Sequence, residues 1–556
     1  MVVRSGAAGR HRRRMSADIQ AVRDLHAARR SARLQEIHWI DAAYQVYLTA
    51  IFATVAVITV ANLIGEGKVS AAAAARVHDH GPSVLGAIVT LIAVAGLRSG
   101  SRGGPIALEA AEVRYVLLAP IDRGAVLRRA AFRQLRFAAF AGTVAGAVAA
   151  AFAQKRFPGE PVAWIASGAL FGLVTAVLNV GCALTASGHR IHRAATTAMG
   201  IVLLGWAGVA AWVGNAGPAD SIARVALWPL GFSWVPLVAI VFVVALAATG
   251  LRSVGGTSLE ATERRTSLVG QLRFAVTMQD LRTVLVLRRQ LAQDLPRSRP
   301  WIKVRKAFRR FPVWRRDLHG FLRFPAPRLA RMVALCVIAA FAVRGVWEGT
   351  TPLIAIAAIA IYLAGLDIVE PLAQQVDQAD LTDLTPRHEG DLYQRHLALS
   401  TLMMVLFCAI AYGIVVAVIP SSRAVEVGAV LVLPAALGAV AAATITVVRS
   451  APDPSKTGAM MPPEFAGAQV VMRNVWPLIV AGLGVMPIAF ARHQFDKGFD
   501  PIGGAIMASI AGVAVAALTV AWVRFREEAH AWFARAMDAS ANAKKPTATP
   551  STPGSR

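Results

Sequence analysis

Few side chains in this sequence combine the residue type and the spacing that chemistry needs. Asp367 and Glu370 come at the end of an apolar stretch, where carboxylates are candidates for moving ions or protons. Their place at the border of a span predicts instead that both are solvated. His189 and His192 share a short loop, and that spacing is a weak indication of a metal site. The sequence therefore predicts no metal centre.

No group of residues indicates catalysis. Cys182, Cys336 and Cys408 all fall inside apolar stretches, where cysteine is usually a small core residue, so we expect no disulfides. A phosphate-binding loop requires Gly-x-x-x-x-Gly-Lys-Ser/Thr, and the nearest stretch, residues 65–69, lacks both the spacing and the hydroxyl. We therefore expect that this chain is not an enzyme and holds no cofactor.

The composition is that of an integral membrane protein. Hydrophobic residues make up 56% of the 556 positions and charged residues 16%, and the mean hydropathy is +0.53. A helix needs about 20 apolar residues to cross the bilayer. This length predicts an all-α fold with twelve spans: 46–65, 82–97, 136–153, 162–186, 196–214, 229–250, 331–347, 352–367, 397–419, 424–447, 474–492 and 502–523.

The positions of the basic residues predict the orientation of these spans. If the N-terminus is cytoplasmic, 49 of the 58 lysines and arginines fall in cytoplasmic segments, which is where basic residues are retained. We therefore expect a multi-pass protein of the cell membrane with both termini in the cytoplasm. The same basic residues favour contact with anionic lipid, which explains the net charge of +26 without any binding of nucleic acid.

A sequence pattern occurs twice, 266 residues apart, each time after the second span of a half. It reads Leu-x-Pro-x-x-x-Gly, followed by two apolar residues and an arginine. The positions that define it are Leu118, Pro120, Gly124 and Arg129 in the first copy and Leu384, Pro386, Gly390 and Arg395 in the second. The chain is therefore predicted to be two parallel six-helix repeats related by an axis along the membrane normal.

An amphipathic helix precedes each predicted half. In the second half it includes Trp314 and Leu318 on an apolar face, with Arg316, Asp317 and Arg323 elsewhere. The first half has a counterpart at about 17–40, and a further helix is expected from about 272 to 291. The predicted domains are a basic N-terminus with the first amphipathic helix (1–45), the first half (46–250), a basic cytoplasmic linker (251–330), the second half (331–523) and a disordered cytoplasmic tail (524–556).

This order of parts resembles the permease subunits of ABC-2 type exporters. Residues 111–123 resemble the loop that those permeases present to their ATPase, and residues 316–323 resemble their amphipathic elbow helix. The resemblance implies an exporter permease with two halves fused in one chain. It also implies that ATP is bound by separate ABC ATPase subunits, two for each chain, which dock on the cytoplasmic loops.

The repeated pattern itself favours a coupling role. A buried Leu118, a turn at Pro120 that begins a short helix, and Gly124 would form a compact projection, and the arginines after it would pair with acidic groups on a partner. The simpler alternative is a loop that only caps the helical bundle. The second copy is acidic, with Asp377, Glu389 and Asp391, so the two copies are not expected to dock equally.

Two other classes of function remain open from the sequence. A six-plus-six arrangement also occurs in secondary transporters driven by ion gradients, although here the centres of the spans carry almost no charge. A scaffold without transport activity, or an enzyme acting on lipid-linked substrates, is the third class. The predicted external loops are too short for most such enzymes.

Overall fold

The computed structural model describes residues 39–64, 68–106, 108, 112–119, 122–277, 297–303, 310–378, 388–418, 422–449 and 475–543, with six single positions between 20 and 32. These residues are helical or irregular, and they include no strand. The chain divides into two compact units, Met1–Met278 and Gln279–Arg556. The boundary between the units falls inside the basic linker.

The described part of unit 1 contains seven principal helices, a short helix (Asp220–Ala223) and one π-helical turn. The turn, Glu112–Val116, lies between the second and third helices, and a short 3₁₀ turn, Val254–Gly256, follows the sixth. The helices are α1 (Trp39–Leu63), α2 (Ala71–Gly100), α3 (Arg123–Ala153), α4 (Pro161–Gly188), α5 (Arg193–Val213), α6 (Val235–Ser253) and α7 (Leu259–Thr277).

Helix α4 is the centre of unit 1, because it packs against α2, α3 and α6. Its closest neighbour is α3, where Gly142 and Gly146 face Gly168 and Gly172 and leave no room for a Cβ at any of the four positions. Small residues at this spacing let two helix backbones approach, as is usual inside membranes. The mid-span Asn179 was expected to bond a neighbouring helix, and its amide donates to the carbonyl of Ile92 at 2.7 Å.

The described part of unit 2 contains the predicted amphipathic helix, α8 (Pro312–Phe321), and eight further helices. These are α9 (Ala326–Trp347), α10 (Leu353–Ile368), α11 (Glu370–Asp377), α12 (Glu389–Val418), α13 (Ser422–Val448), α14 (Val475–Val485), α15 (Pro487–Asp496) and α16 (Pro501–Ala543). The pairs α10–α11 and α14–α15 are bent by 58° and 44°. Helix α13 packs against α10, α12 and α16, much as α4 does in unit 1.

Among the described residues, nine helices are long and apolar enough to cross a membrane, or eleven if each bent pair counts as one span. The prediction of a helical, multi-pass membrane protein is therefore confirmed at this level. The segment from 524 was predicted to be disordered, but α16 continues to Ala543. Helix α7 begins at Leu259, earlier than the helix expected from about 272, and residues 278–296 lie outside the described part.

Candidate functional site

The repeated pattern lies at one end of each unit, which we call the loop end. In unit 1 the loop end contains the π-helical turn and the start of α3, and in unit 2 it contains α11 and the start of α12. Pro120, Leu384 and Pro386 lie outside the described residues. The structure describes the other five residues that define the pattern: Leu118, Gly124, Arg129, Gly390 and Arg395.

The glycine of the pattern is buried in both units, and in each it packs near the end of the last apolar helix. Gly124 packs against the turn after α6, where a Cβ built on Gly255 would lie only 3.1 Å from the Gly124 Cα. Gly390 packs against α16, where its own Cβ would lie 2.9 Å from the Arg524 Cα. The glycine therefore joins the start of α3 to the end of α6 in unit 1, and the start of α12 to the end of the apolar part of α16 in unit 2.

The arginine of the pattern is exposed in both units. Arg129 and Arg395 lie in the second turns of α3 and α12, and neither forms an ion pair with any residue that the structure describes. Asp122 caps α3 by accepting a hydrogen bond from the Gly124 amide at 2.9 Å. The helix start is therefore fixed by the cap and the glycine, which leaves the arginine side chain available.

The loop of unit 1 also exposes apolar side chains. Leu118, predicted to be buried, is 66% exposed, and Tyr115 is 73% exposed, whereas the adjacent Leu117 takes the buried position. Helix α7 packs against this loop, and Thr266 accepts a hydrogen bond from the Leu108 amide. Burial lowers the pKa of Arg265 on α7, outside the spans.

The loop of unit 2 is held by ion pairs. The prediction that Asp367 and Glu370 are solvated is wrong, because both are buried. Asp367 accepts two hydrogen bonds from Arg331, at 2.7 and 2.8 Å, and Glu370 accepts one from Arg328 at 3.1 Å. Two cations and two anions thus balance at the bend between α10 and α11.

Proline explains why this network forms at the bend. Pro371 has no N–H, so the carbonyl of Asp367, four residues earlier, loses its helical partner. Arg328 donates to that carbonyl at 2.8 Å. The sequence alone does not show this role, because the arginines lie near the start of α9, more than 30 residues earlier in the chain.

Two of the predicted residues of helix α8 form hydrogen bonds with the neighbouring helices α11 and α12. Arg316 donates to Gln375 on α11 at 2.8 Å. Asp317, expected on the polar face, is 1% exposed and accepts from His396 on α12 at 2.8 Å, with His396 equally buried. Trp314 stacks on Phe311, Leu318 packs against the apolar core, and Arg323 is exposed.

Acidic residues of the second copy are paired inside unit 2. Glu389 accepts from Arg526 at 2.6 Å, and Asp391 lies 3.4 Å from Arg524. Both arginines belong to the part of α16 that was expected to be disordered. The excess negative charge predicted for this loop is therefore partly neutralised by the same chain.

Other candidate residues do not assemble into a site. His192 caps α5 by accepting from the Ala194 amide, and His189 contacts the Thr185 carbonyl. No group of three or more His, Cys, Asp or Glu side chains that could hold a metal occurs within the described ranges. The three cysteines are buried and free.

These features define a multi-pass helical membrane protein in which two units build their loop ends around one sequence pattern. The chain belongs to a family of unknown function (DUF6297), whose family model matches residues 74–457, a range that includes both copies of the pattern. No curated protein and no solved structure matched the chain.

Proposed function

We propose that this protein is the membrane-spanning permease of an ATP-driven ABC exporter, with its ATPase in separate subunits. If α1 and each bent pair count as one span, each unit contains six, which gives the predicted twelve. The loop ends then face the cytoplasm of a cell-membrane protein. The two halves would form the translocation path, and their loops would dock two ATPase subunits.

The observation that carries this proposal is the shared environment of the pattern in both units. A buried glycine fixes the start of the third span to the end of the sixth, while an arginine beside it stays exposed. A partner that pulls on such a loop moves two spans together, because packed helices move as units rather than deforming. A loop that only capped the bundle would need no exposed arginine at this position.

The exposed Tyr115 and Leu118 provide a docking surface in unit 1. Large apolar side chains on a loop outside the bilayer cost free energy unless something covers them. With Arg129 nearby, the surface fits a partner with an apolar cleft and acidic rim. In unit 2 the paired Glu389 and Asp391 give a different surface, so the two ATPase contacts are expected to be unequal.

The test is affinity purification of the tagged full chain from its native membrane, with mass spectrometry of the proteins recovered. We expect an ATPase with a phosphate-binding loop, near two copies per chain. The double variant Tyr115→Ser with Leu118→Ser should lose it, whereas the control Ile302→Ser, an equally exposed apolar residue outside the pattern, should retain it. Recovery of no ATPase, under conditions in which another permease keeps its own, would contradict the proposal.

A secondary transporter driven by an ion gradient is the second candidate, and the bend at Pro371 favours it. Broken helices with carboxylates at the break hold coupling ions in such transporters. Here Asp367 and Glu370 are already neutralised by Arg331 and Arg328, so neither of these two carboxylates is left to bind a cation at the bend. Transport into vesicles that stops when an ionophore collapses the gradient, but continues without ATP, would favour this candidate.

A further inference from the structure

Helix α3 of unit 1 carries a row of arginines just before its apolar part. Arg129, Arg133 and Arg136 are spaced by four and three residues, so they lie on one face of the helix, and all three are exposed. Only 6% of the apolar window of α3 is buried within the protein. The face that carries the arginines therefore meets the surroundings of unit 1.

The position of Arg136 along α3 corresponds to the border of the bilayer. Residues 137–153 carry no charge and correspond to roughly 26 Å of helix, close to the thickness of about 30 Å of the hydrocarbon core. Arg136 comes directly before this stretch, and Arg133 lies about one turn earlier. Both guanidinium groups are therefore at the depth of lipid phosphates, and the exposed Phe137 and Phe140 lie on the hydrocarbon side.

No acidic side chain that the structure describes neutralises this row. Helix α3 contains five arginines and no acidic residue, and neither Arg133 nor Arg136 forms a hydrogen bond or an ion pair with a described residue. Like charges three or four residues apart destabilise a helix. An anion between the two side chains would remove this repulsion, and arginine binds phosphate oxygens through two parallel N–H donors.

The corresponding helix of unit 2 shows that the fold does not need these charges. At the offset of the repeat, Arg133 and Arg136 match Leu399 and Leu402 of α12. Leu402 is 54% exposed, so an apolar residue occupies the position that matches Arg136. The orientation of the span does not need them either, because Arg129 and the earlier arginines of α3 already lie outside the apolar stretch.

We propose that Arg133 and Arg136 form a binding site for an anionic phospholipid, with the phosphate between the two guanidinium groups and the acyl chains along Phe137 and Phe140. A zwitterionic phospholipid carries its own ammonium group, so it offsets the repulsion between the arginines less. Arg129 is left to the loop surface. The inference rests on α3 being a membrane span and does not depend on ATP-driven export.

The test is native mass spectrometry of the purified full chain in detergent, titrated with phosphatidylglycerol or with phosphatidylcholine of the same acyl chains. We expect the first phosphatidylglycerol to bind about tenfold more tightly than phosphatidylcholine. Arg133→Gln and Arg136→Gln should each remove most of this preference, because one of the two guanidinium groups is lost. Arg252→Gln, which removes an exposed arginine from the last turn of α6, is the matched control and should keep it.

Three sets of results would overturn the proposal. Equal affinity of the wild type for both lipids, or equal losses in Arg252→Gln and Arg136→Gln, would leave only a diffuse attraction between basic residues and anionic lipid. Full competition by glycerophosphoglycerol, which is the headgroup without acyl chains, would assign the arginines to a soluble phosphate ester. Loss from Arg136→Gln of a protein that copurifies with the wild type would assign them to a protein partner, whereas a lipid site predicts unchanged recovery.

Discussion

The loop ends of the two units have the same order of helices, but different residues form their turns and different interactions stabilise them. In unit 1 the chain turns after α2 at Gly103 and Gly104, whose φ angles of 114° and 82° lie in the left-handed region that favours glycine. In unit 2 the helix is broken at the corresponding place, between α10 and α11, where Pro371 lies at the start of α11. At the offset of the repeat Pro371 matches Pro105, so both units have a proline here, and unit 1 adds two left-handed glycines where unit 2 has Val369 and Glu370.

The forces that hold the two loops differ accordingly. The loop of unit 1 rests on an apolar cluster that includes Val113, Leu117 and Leu127. The loop of unit 2 rests on the pairs of Arg328 and Arg331 with Glu370 and Asp367. Positions 101, 104 and 130, which match Asp367, Glu370 and His396 at the offset of the repeat, hold Ser101, Gly104 and Ala130.

What survives in both units is the glycine contact with the last apolar helix. Gly124 and Gly390 meet different residues, but they lie at the same place in the order of helices. This contact is therefore common to both copies of the pattern, although only at Gly390 is the approach close enough to exclude a Cβ. The loop surface around it has been free to diverge, which is expected if the two loops meet different parts of a partner.

The largest effect should come from breaking the buried pair of Asp317 and His396, whose histidine matches Ala130 in unit 1 at the offset of the repeat. His396→Leu leaves the Asp317 carboxylate buried without its partner, which should cost about 3–5 kcal/mol of folding free energy. Thermal unfolding of the purified chain in detergent measures it. His319→Leu, a histidine on the same helix as Asp317 but outside the pair, is the matched control and should change stability little.

The double variant Asp317→Leu with His396→Leu sharpens the same comparison. It replaces the pair with apolar side chains and should recover most of the lost stability because no buried charge remains. A double variant as unstable as His396→Leu alone would show that α8 needs the pair itself and not merely a satisfied contact.

The two pattern glycines should respond unequally to alanine. Gly390→Ala places a Cβ against the backbone of Arg524, and displacing a packed helix should cost about 1–3 kcal/mol. Gly124→Ala meets only the ends of the Asp122 and Arg128 side chains, at 3.2 and 3.3 Å, which can move. We expect a clear drop in unfolding temperature for the first and almost none for the second. Equal drops would mean that the two contacts are equally tight.

The sequence predicted the helical membrane class well, because apolar runs of span length carry that information locally. It also located the amphipathic helix at Pro312–Phe321. It placed Asp317 on the wrong face because a carboxylate is normally solvated. Its burial depends on His396, which lies 79 residues later and can be matched to it only in the folded chain.

The same reason explains the error at Asp367 and Glu370. Position at a span border predicts solvation for a carboxylate, and only the packing of α9 against α10 brings Arg328 and Arg331 to them. The end of α16 was missed because residues 524–543 mix charged and apolar side chains and so form no apolar run of span length. Its pairing of Arg526 with Glu389 and with the Val448 carbonyl supplies partners that the local sequence does not show.

Pro371→Ala tests whether proline or the ion pairs set the bend in unit 2. Alanine supplies the N–H that the Asp367 carbonyl lacks, but Arg328 already bonds that carbonyl at 2.8 Å. We expect a change in stability of about 1 kcal/mol or less, within the range of modest substitutions. Spin labels on α10 and α11 would measure the angle. A straightened helix would show that the proline alone maintains the 58° bend.

The smallest effect on stability, and the most direct test of coupling, should come from the exposed arginines. Arg129→Gln and Arg395→Gln remove charges that no described residue pairs with, so each should change stability by less than about 0.5 kcal/mol. Both should weaken ATPase association in the purification assay. We expect the larger loss for Arg129, because Tyr115 and Leu118 lie exposed on its loop, whereas Arg395 lies near the paired Glu389.

Arg264→Gln is the control for both variants, since Arg264 is an exposed arginine on α7 that pairs only with Glu260. Normal ATPase recovery with Arg264→Gln and reduced recovery with Arg129→Gln would separate the pattern arginine from general positive charge. Equal losses for Arg129→Gln and Arg395→Gln would mean that the different loop chemistry of the two units does not reach the partner. In that case the glycine contact and the arginine, which both units share, would be sufficient for docking.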